Sequence, residues 1–90
     1  MWIILHVHKP RGSLRGYCRR YMLEPSPNLF VGKATKTLKE DIERRIEESG
    51  SDGFLIRECR ESDLGLSIRI FGNPDREIVD LNGFQVVKKK

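Results

Sequence analysis

Cysteine, aromatic residues and long apolar runs are all scarce in this chain. Cys18 and Cys59 are the only cysteines among its 90 residues. Two isolated thiols supply neither a disulfide framework nor a Cys-rich zinc site. Both fall in patterned elements and read as buried thiols of an intracellular protein. Leu64–Phe71 is a candidate strand with one aromatic, which argues against the ring-lined sheet of an RRM-type RNA binder. The apolar run Trp2–Val7 is too short to span a bilayer. No basic segment precedes it and no small-residue cleavage pattern follows it, so it does not read as a signal peptide. The chain is expected in the cytoplasm.

Charge is plentiful instead. Asp, Glu, Lys and Arg make up 33% of residues, with 17 Lys plus Arg against 13 Asp plus Glu. A pI near 9.3 fits a nucleic-acid partner without requiring one. The distribution carries more information than the total. Acids concentrate between Glu40 and Glu61, whereas Lys9-Pro10-Arg11-Gly12-Ser13 and the Lys88–Lys90 tail are basic. The whole chain, residues 1–90, reads as one domain. A domain of this size buries roughly 60–65% of its unfolded surface, a thin core that association would support.

The pattern predicts a first strand over residues 2–7, buried on both faces because apolar side chains occupy successive positions. Leu14, Tyr17, Cys18, Tyr21 and Met22 form a helical stripe, capped by Ser13 and ended by Pro25 and Pro27. Leu29-Phe30-Val31 is a short strand closed by Gly32. Thr35 caps a second helix over about 36–49, with Leu38, Ile42 and Ile46 inward and Lys36–Glu40, Lys39–Glu43 and Asp41–Arg45 as i,i+4 pairs on its wet face. Residues 54–60 and 64–71 form a hairpin, the second strand burying Leu64, Leu66, Ile68 and Ile70. Turns are expected at Gly72–Asp75 and at Asn82-Gly83. Between them lies an extended Glu77-Ile78-Val79, and a last strand follows at 84–88. Crossovers through helices imply some parallel pairing. The fold class is α+β, a ferredoxin-like single sheet with two helices on one face. Its other face is then half-covered, and a second copy would hide it.

Cations gathered where a strand feeds a helix start need an anion to face, and a phosphate backbone is the natural candidate. His6 and His8 share one strand face but make half a zinc site, so packed or seam-side histidines are expected and no metal is assigned. Asp80 reads as a turn residue. Ser13 lacks a nucleophile elbow, and Gly12 with Gly16 is no dinucleotide fingerprint. No catalytic residue and no cofactor are assigned.

Several segments in register resemble one family. A strand leads to Pro10-Arg11-Gly12-Ser13-Leu14-Arg15-Gly16 and to a helix closing on Tyr21-Met22-Leu23-Glu24. Leu29-Phe30-Val31-Gly32-Lys33-Ala34-Thr35 and the second helix come next, and later Phe71-Gly72 and Val79-Asp80-Leu81-Asn82-Gly83. This order is similar to the CRISPR-associated Cas-two proteins, with the type I-E branch nearest. The resemblance implies a homodimer that bridges two dimers of the Cas-one integrase. That assembly holds a prespacer DNA duplex for insertion into the CRISPR array. The Cas-two subunit supplies scaffold and backbone contacts; the partner supplies the metal-dependent chemistry.

Carried over residue by residue, Arg15 matches the corner arginine that contacts phosphate. A second family arginine falls on Ser13, with Arg11 as its displaced substitute. Lys36 and Lys39 stand for the basic opening of helix two, with Lys33 just before. The basic pair after Phe-Gly falls on Asp75 and Arg76. Arg19 is an additional candidate contact. The strand-end acid on which nuclease members rely falls on His8. The resemblance therefore implies a non-catalytic DNA-binding subunit, with a metal-dependent endonuclease as the alternative.

Overall fold

The computed structural model describes residues 1–72 in full, and 76–81 and 84–89 by their backbone. The elements are β1 (Trp2–His8), α1 (Leu14–Tyr21), β2 (Leu23–Ser26), β3 (Leu29–Lys33), α2 (Lys36–Ser49), β4 (Asp52–Glu58), β5 (Leu66–Phe71), β6 (Arg76–Leu81) and β7 (Phe84–Lys89). Five strands form one sheet in the order β2-β3-β1-β4-β5, and β6 pairs with β7 in a separate ladder. The turns expected at Gly72–Asp75 and Asn82-Gly83 fall largely or wholly outside the described residues. Asp80 lies within β6, opposite Gln85, rather than in a turn.

Every neighbouring pair in the large sheet is antiparallel, so the expected parallel pairing is absent from it. The α1 crossover does carry the chain back in the direction of β1. It lands one strand away, and β3 then folds back between β2 and β1. This split β-α-β arrangement makes the domain ferredoxin-like α+β.

Strand β1 is central and is buried on one face, not two. Ile3, Leu5 and Val7 are sealed, while Ile4 and Trp2 are 39% and 52% exposed. Successive side chains point to opposite faces, and only one face is covered. The covered side packs Leu14 and Cys18 of α1 and Ile42 and Ile46 of α2 against Ile3, Leu5, Val7, Phe30, Leu55 and Phe71. Each fully buried aliphatic or Phe side chain contributes on the order of 1.5–3 kcal/mol. Both helices therefore lie on one face.

Helix α1 is shorter than its apolar stripe predicts. Met22 is already extended at φ −138° and ψ 160°, and its side chain is buried in the core. Glu24 precedes Pro25, which disfavours helical backbone there, and Leu23–Ser26 becomes an edge strand. Tyr21 is left 46% exposed. Ser13 occupies the N-cap position but makes no side-chain capping bond. Helix α2 follows expectation closely. Thr35 Oγ1 accepts from the Leu38 N–H at 3.1 Å, and Gly50 closes the helix at φ 70°.

The hairpin also departs from the pattern. Leu64 lies in the turn, where Cys59 N–H donates to Gly65 O at 2.8 Å. Cys18 is buried, and burial pushes its thiol up to about 11. Cys59 is only half-buried at this turn. Leu66, Ile68 and Ile70 share the face of Phe54 and Ile56, away from the helices. Ser67, Arg69 and Phe71 face the helix side instead.

Strand β1 passes close to Gly53 of β4. A Cβ there would lie 2.1 Å from the His6 carbonyl oxygen and 3.0 Å from Val7 Cα. Backbone cannot swing aside as a side-chain end can. Gly53→Ala is therefore expected to cost about 1–3 kcal/mol. That corresponds to a drop of several degrees or more in melting temperature, readable by circular dichroism. An unchanged melt would contradict the close approach.

Candidate nucleic-acid interface

The basic corner joins the C-terminal end of β1 to α1. Lys9 and Gly12 adopt positive φ, 49° and 59°, and Leu14 N–H donates to Arg11 O at 3.3 Å. The loop thus turns sharply and starts α1 at once. Helix α2 arrives at the same end of the sheet. Between the Arg11–Leu14 loop and Arg45, Glu48 and Ser49 of α2 lies an open cavity of about 340 Å³.

Arg45 was not singled out by sequence reasoning, which pairs Asp41 with it on a wet helix face. That pair forms, with Arg45 Nε 3.0 Å from Asp41 Oδ2. The same guanidinium lies 3.9 Å above the Tyr17 ring, which brings it to the corner. Tyr17 O–H donates to Asp41, and Arg44 pairs with Asp41 as well. Burial, reinforced by the Asp41 bond, raises the Tyr17 phenol.

Arg15 and Arg19 sit one turn apart on α1. Arg15 donates from Nε and Nη2 to Glu24 at 3.0 and 3.2 Å, and Arg19 Nε lies 3.5 Å from the same carboxylate. The Arg15 bond and the Asn28 N–H lower the Glu24 carboxyl. Glu24 too escaped sequence reasoning, because it becomes a neighbour of α1 only after the chain reverses into β2.

The lysines lie elsewhere. Lys33 pairs in register with Trp2, at the opposite end of β1 from the corner, and its ammonium is 5.6 Å from the Trp2 ring centroid. Lys36 is exposed at the start of α2 near that far rim. The length of β1 puts this rim roughly 20 Å from the corner. Lys39 is committed to Glu43 at 2.5 Å and is 15% exposed. Burial alone would raise the Glu43 carboxyl, but Lys39 and Arg69 outweigh it and hold it low. Arg69 also pairs with Glu47, tying β5 to α2. Among the described residues, Arg11 and Lys36 form no ion pair. The Arg76 side chain lies outside the described residues.

At the end of β1, His8 stands opposite Asp52 of β4. No group of three or more His, Cys, Asp or Glu among the described residues is placed to hold a metal ion. Among the described residues, no helix is long and apolar enough to cross a membrane.

An antiparallel five-strand sheet with two helices on one face defines a ferredoxin-like α+β domain. Residues 1–86 match the family described as CRISPR-associated protein (Cas_Cas2CT1978), and the chain belongs to that Cas-two-like family. No curated protein matches it.

The link between the helices makes an acid-stability prediction. Bonds from Tyr17, Arg45 and Arg44 lower the Asp41 carboxyl from 3.8 to about 2. Their stabilisation is complete above the ordinary carboxylate value and is lost as pH falls through the lower one. Asp41→Asn is expected to melt lower than wild type at pH 7 and to lose less on acidification from pH 5 to 2. Parallel acid limbs for the two proteins would contradict the link.

Proposed function

We propose that this protein is a non-catalytic, DNA-binding scaffold of the CRISPR adaptation complex, of type I-E character. It acts as a homodimer that bridges Cas-one integrase dimers and grips a prespacer duplex through its phosphates. The carrying observation is that Arg11 and Arg45 line the open cavity at one end of the sheet, with Arg15 and Arg19 held half-exposed on Glu24 along the adjoining α1. Phosphate contacts position a duplex without reading its bases, which suits a subunit that must accept any spacer. Lys33 and Lys36, at the far rim of the sheet, and Arg76 are separate candidate contacts in the proposal. Lys39 is left to Glu43.

Support for a second copy comes from the open sheet face. Leu23, Val31, Ile4, Ile56 and Ile68 line up across all five strands, one residue per strand. Leu29, His6, Phe54 and Ile70 form the next row, with the His6 and Phe54 rings stacked at 5.5 Å. Leu23 and Leu66 are 78% and 44% exposed. A continuous apolar face of this kind fits association better than solvent. A flat, self-similar face suits an isologous contact between two copies.

Two measurements test these parts separately. Duplex binding across a salt series should show a log–log slope that Arg11→Ala/Arg15→Ala flattens by about 0.9 per lost phosphate contact. An unchanged slope would remove the corner from the interface. Light scattering of the purified chain should give a dimer, and Ile4→Lys, at the centre of the first row, a folded monomer. A monomeric wild type would refute the face-to-face pairing.

A further inference from the structure

Resting on the reading of the corner as a phosphate-binding site, we infer that Glu24 is its positioning residue. The carboxylate holds Arg15 and Arg19 as a pre-arranged pair. Glu24 lies on edge strand β2, and its side chain is 11% exposed, against 51% for Arg15 and 62% for Arg19. An acid sits beneath and two arginines sit above it, open to solvent.

The carboxylate is well engaged. Oε2 accepts Arg15 Nε at 3.0 Å and the Asn28 N–H at 2.8 Å. Oε1 accepts Arg15 Nη2 at 3.2 Å and forms an ion pair with Arg19 Nε at 3.5 Å. Three of its roughly four lone-pair sites are taken by hydrogen bonds, and the Arg19 charge lies beside the fourth. Arg15 has the opposite balance. Two of its five N–H groups go to Glu24, and three remain for another acceptor. A guanidinium held by one edge presents its other edge in a fixed direction, as phosphate recognition favours.

Glu24 also connects this pair to the sheet. Asn28, at φ 64°, makes the β2–β3 turn, and its carbonyl accepts the Val7 N–H at 3.1 Å. Through Asn28, the carboxylate fixes the two α1 arginines relative to the end of β1, where the Arg11 loop begins. Without it, two like charges one turn apart would repel and lose their shared direction.

Two physical effects oppose each other here, and the opposition makes the test sharp. Glu24→Gln adds one positive charge, so bulk electrostatics alone would tighten duplex binding. Loss of the fork costs the order of two long side chains, which weakens binding by about tenfold if positioning dominates. Fluorescence anisotropy with a labelled duplex, at several salt concentrations, is run on wild type, Glu24→Gln, Arg15→Lys and the double variant. Arg15→Lys keeps the charge but cannot fork. Expected are weaker binding by Glu24→Gln, a comparable loss by Arg15→Lys, and no further loss when the two are combined. Equal or tighter binding by folded Glu24→Gln would overturn the inference. Should Glu24→Gln fail to fold, wild-type affinity in Arg15→Lys would overturn it equally. If Arg11→Ala/Arg15→Ala leaves the salt slope unchanged, the corner reading fails first. If that slope flattens while Glu24→Gln binds normally, only the role of Glu24 fails.

Discussion

Strand β1 lies at the centre of the sheet, and the direction of each of its side chains determines what the neighbouring elements do. Ile3, Leu5 and Val7 point to the helices and collect the core. Trp2, Ile4 and His6 point the other way and meet no helix. With hydrophobic stabilisation drawn from one face, both helices must sit on it, and the crossover from β1 must skip a strand to leave β3 its place. The same division leaves apolar rows on the open face. The core and the surface proposed to meet a second copy are thus two sides of one strand.

Electrostatics follow a similar economy. A net charge of +4 does not mean evenly spread cations. Asp41 takes Arg44 and Arg45, Glu43 takes Lys39 and Arg69, and Glu24 takes Arg15 and Arg19. The first two carboxylates sit on α2 and link it to α1 and β5. Glu24 differs in lying on an edge strand with both of its arginine partners on α1. An ion pair that leaves its guanidiniums in solvent stabilises little, since exposed pairs are screened. Its effect is chiefly geometric.

Much of this was legible in the residues. Helix α2 was readable because its cap, stripe and terminal glycine agree; of the expected pairs, Lys39–Glu43 and Asp41–Arg45 form, Lys36 does not pair with Glu40, and Glu43 is buried instead of wet. The short α1 was harder, because Met22 continues the helical stripe yet reaches the core from extended backbone. Burial on both faces of β1 was a misreading with a clear cause. Successive apolar residues signal burial, but here the outward set, Trp2 and Ile4, is apolar and yet 52% and 39% exposed. The candidate arginines of the corner were visible from local spacing. Glu24 and Arg45 were not, since each joins the corner through tertiary contact, one after a chain reversal and one across the helix pair.

Under the proposed pairing, the two constraints combine. A two-fold axis through the open face would set two copies of the corner at fixed separation, each on the far side of its own sheet end. Rigidity then matters more than charge. A duplex length is read only if the arginines at both corners keep their direction, and a flexible cation would bind phosphate at any spacing. Glu24, Asn28 and the β1 end supply that stiffness within each copy, while the apolar rows would supply it between copies. In the proposed role, a corner of this make would hold a duplex in a fixed direction and leave cutting and joining to a partner.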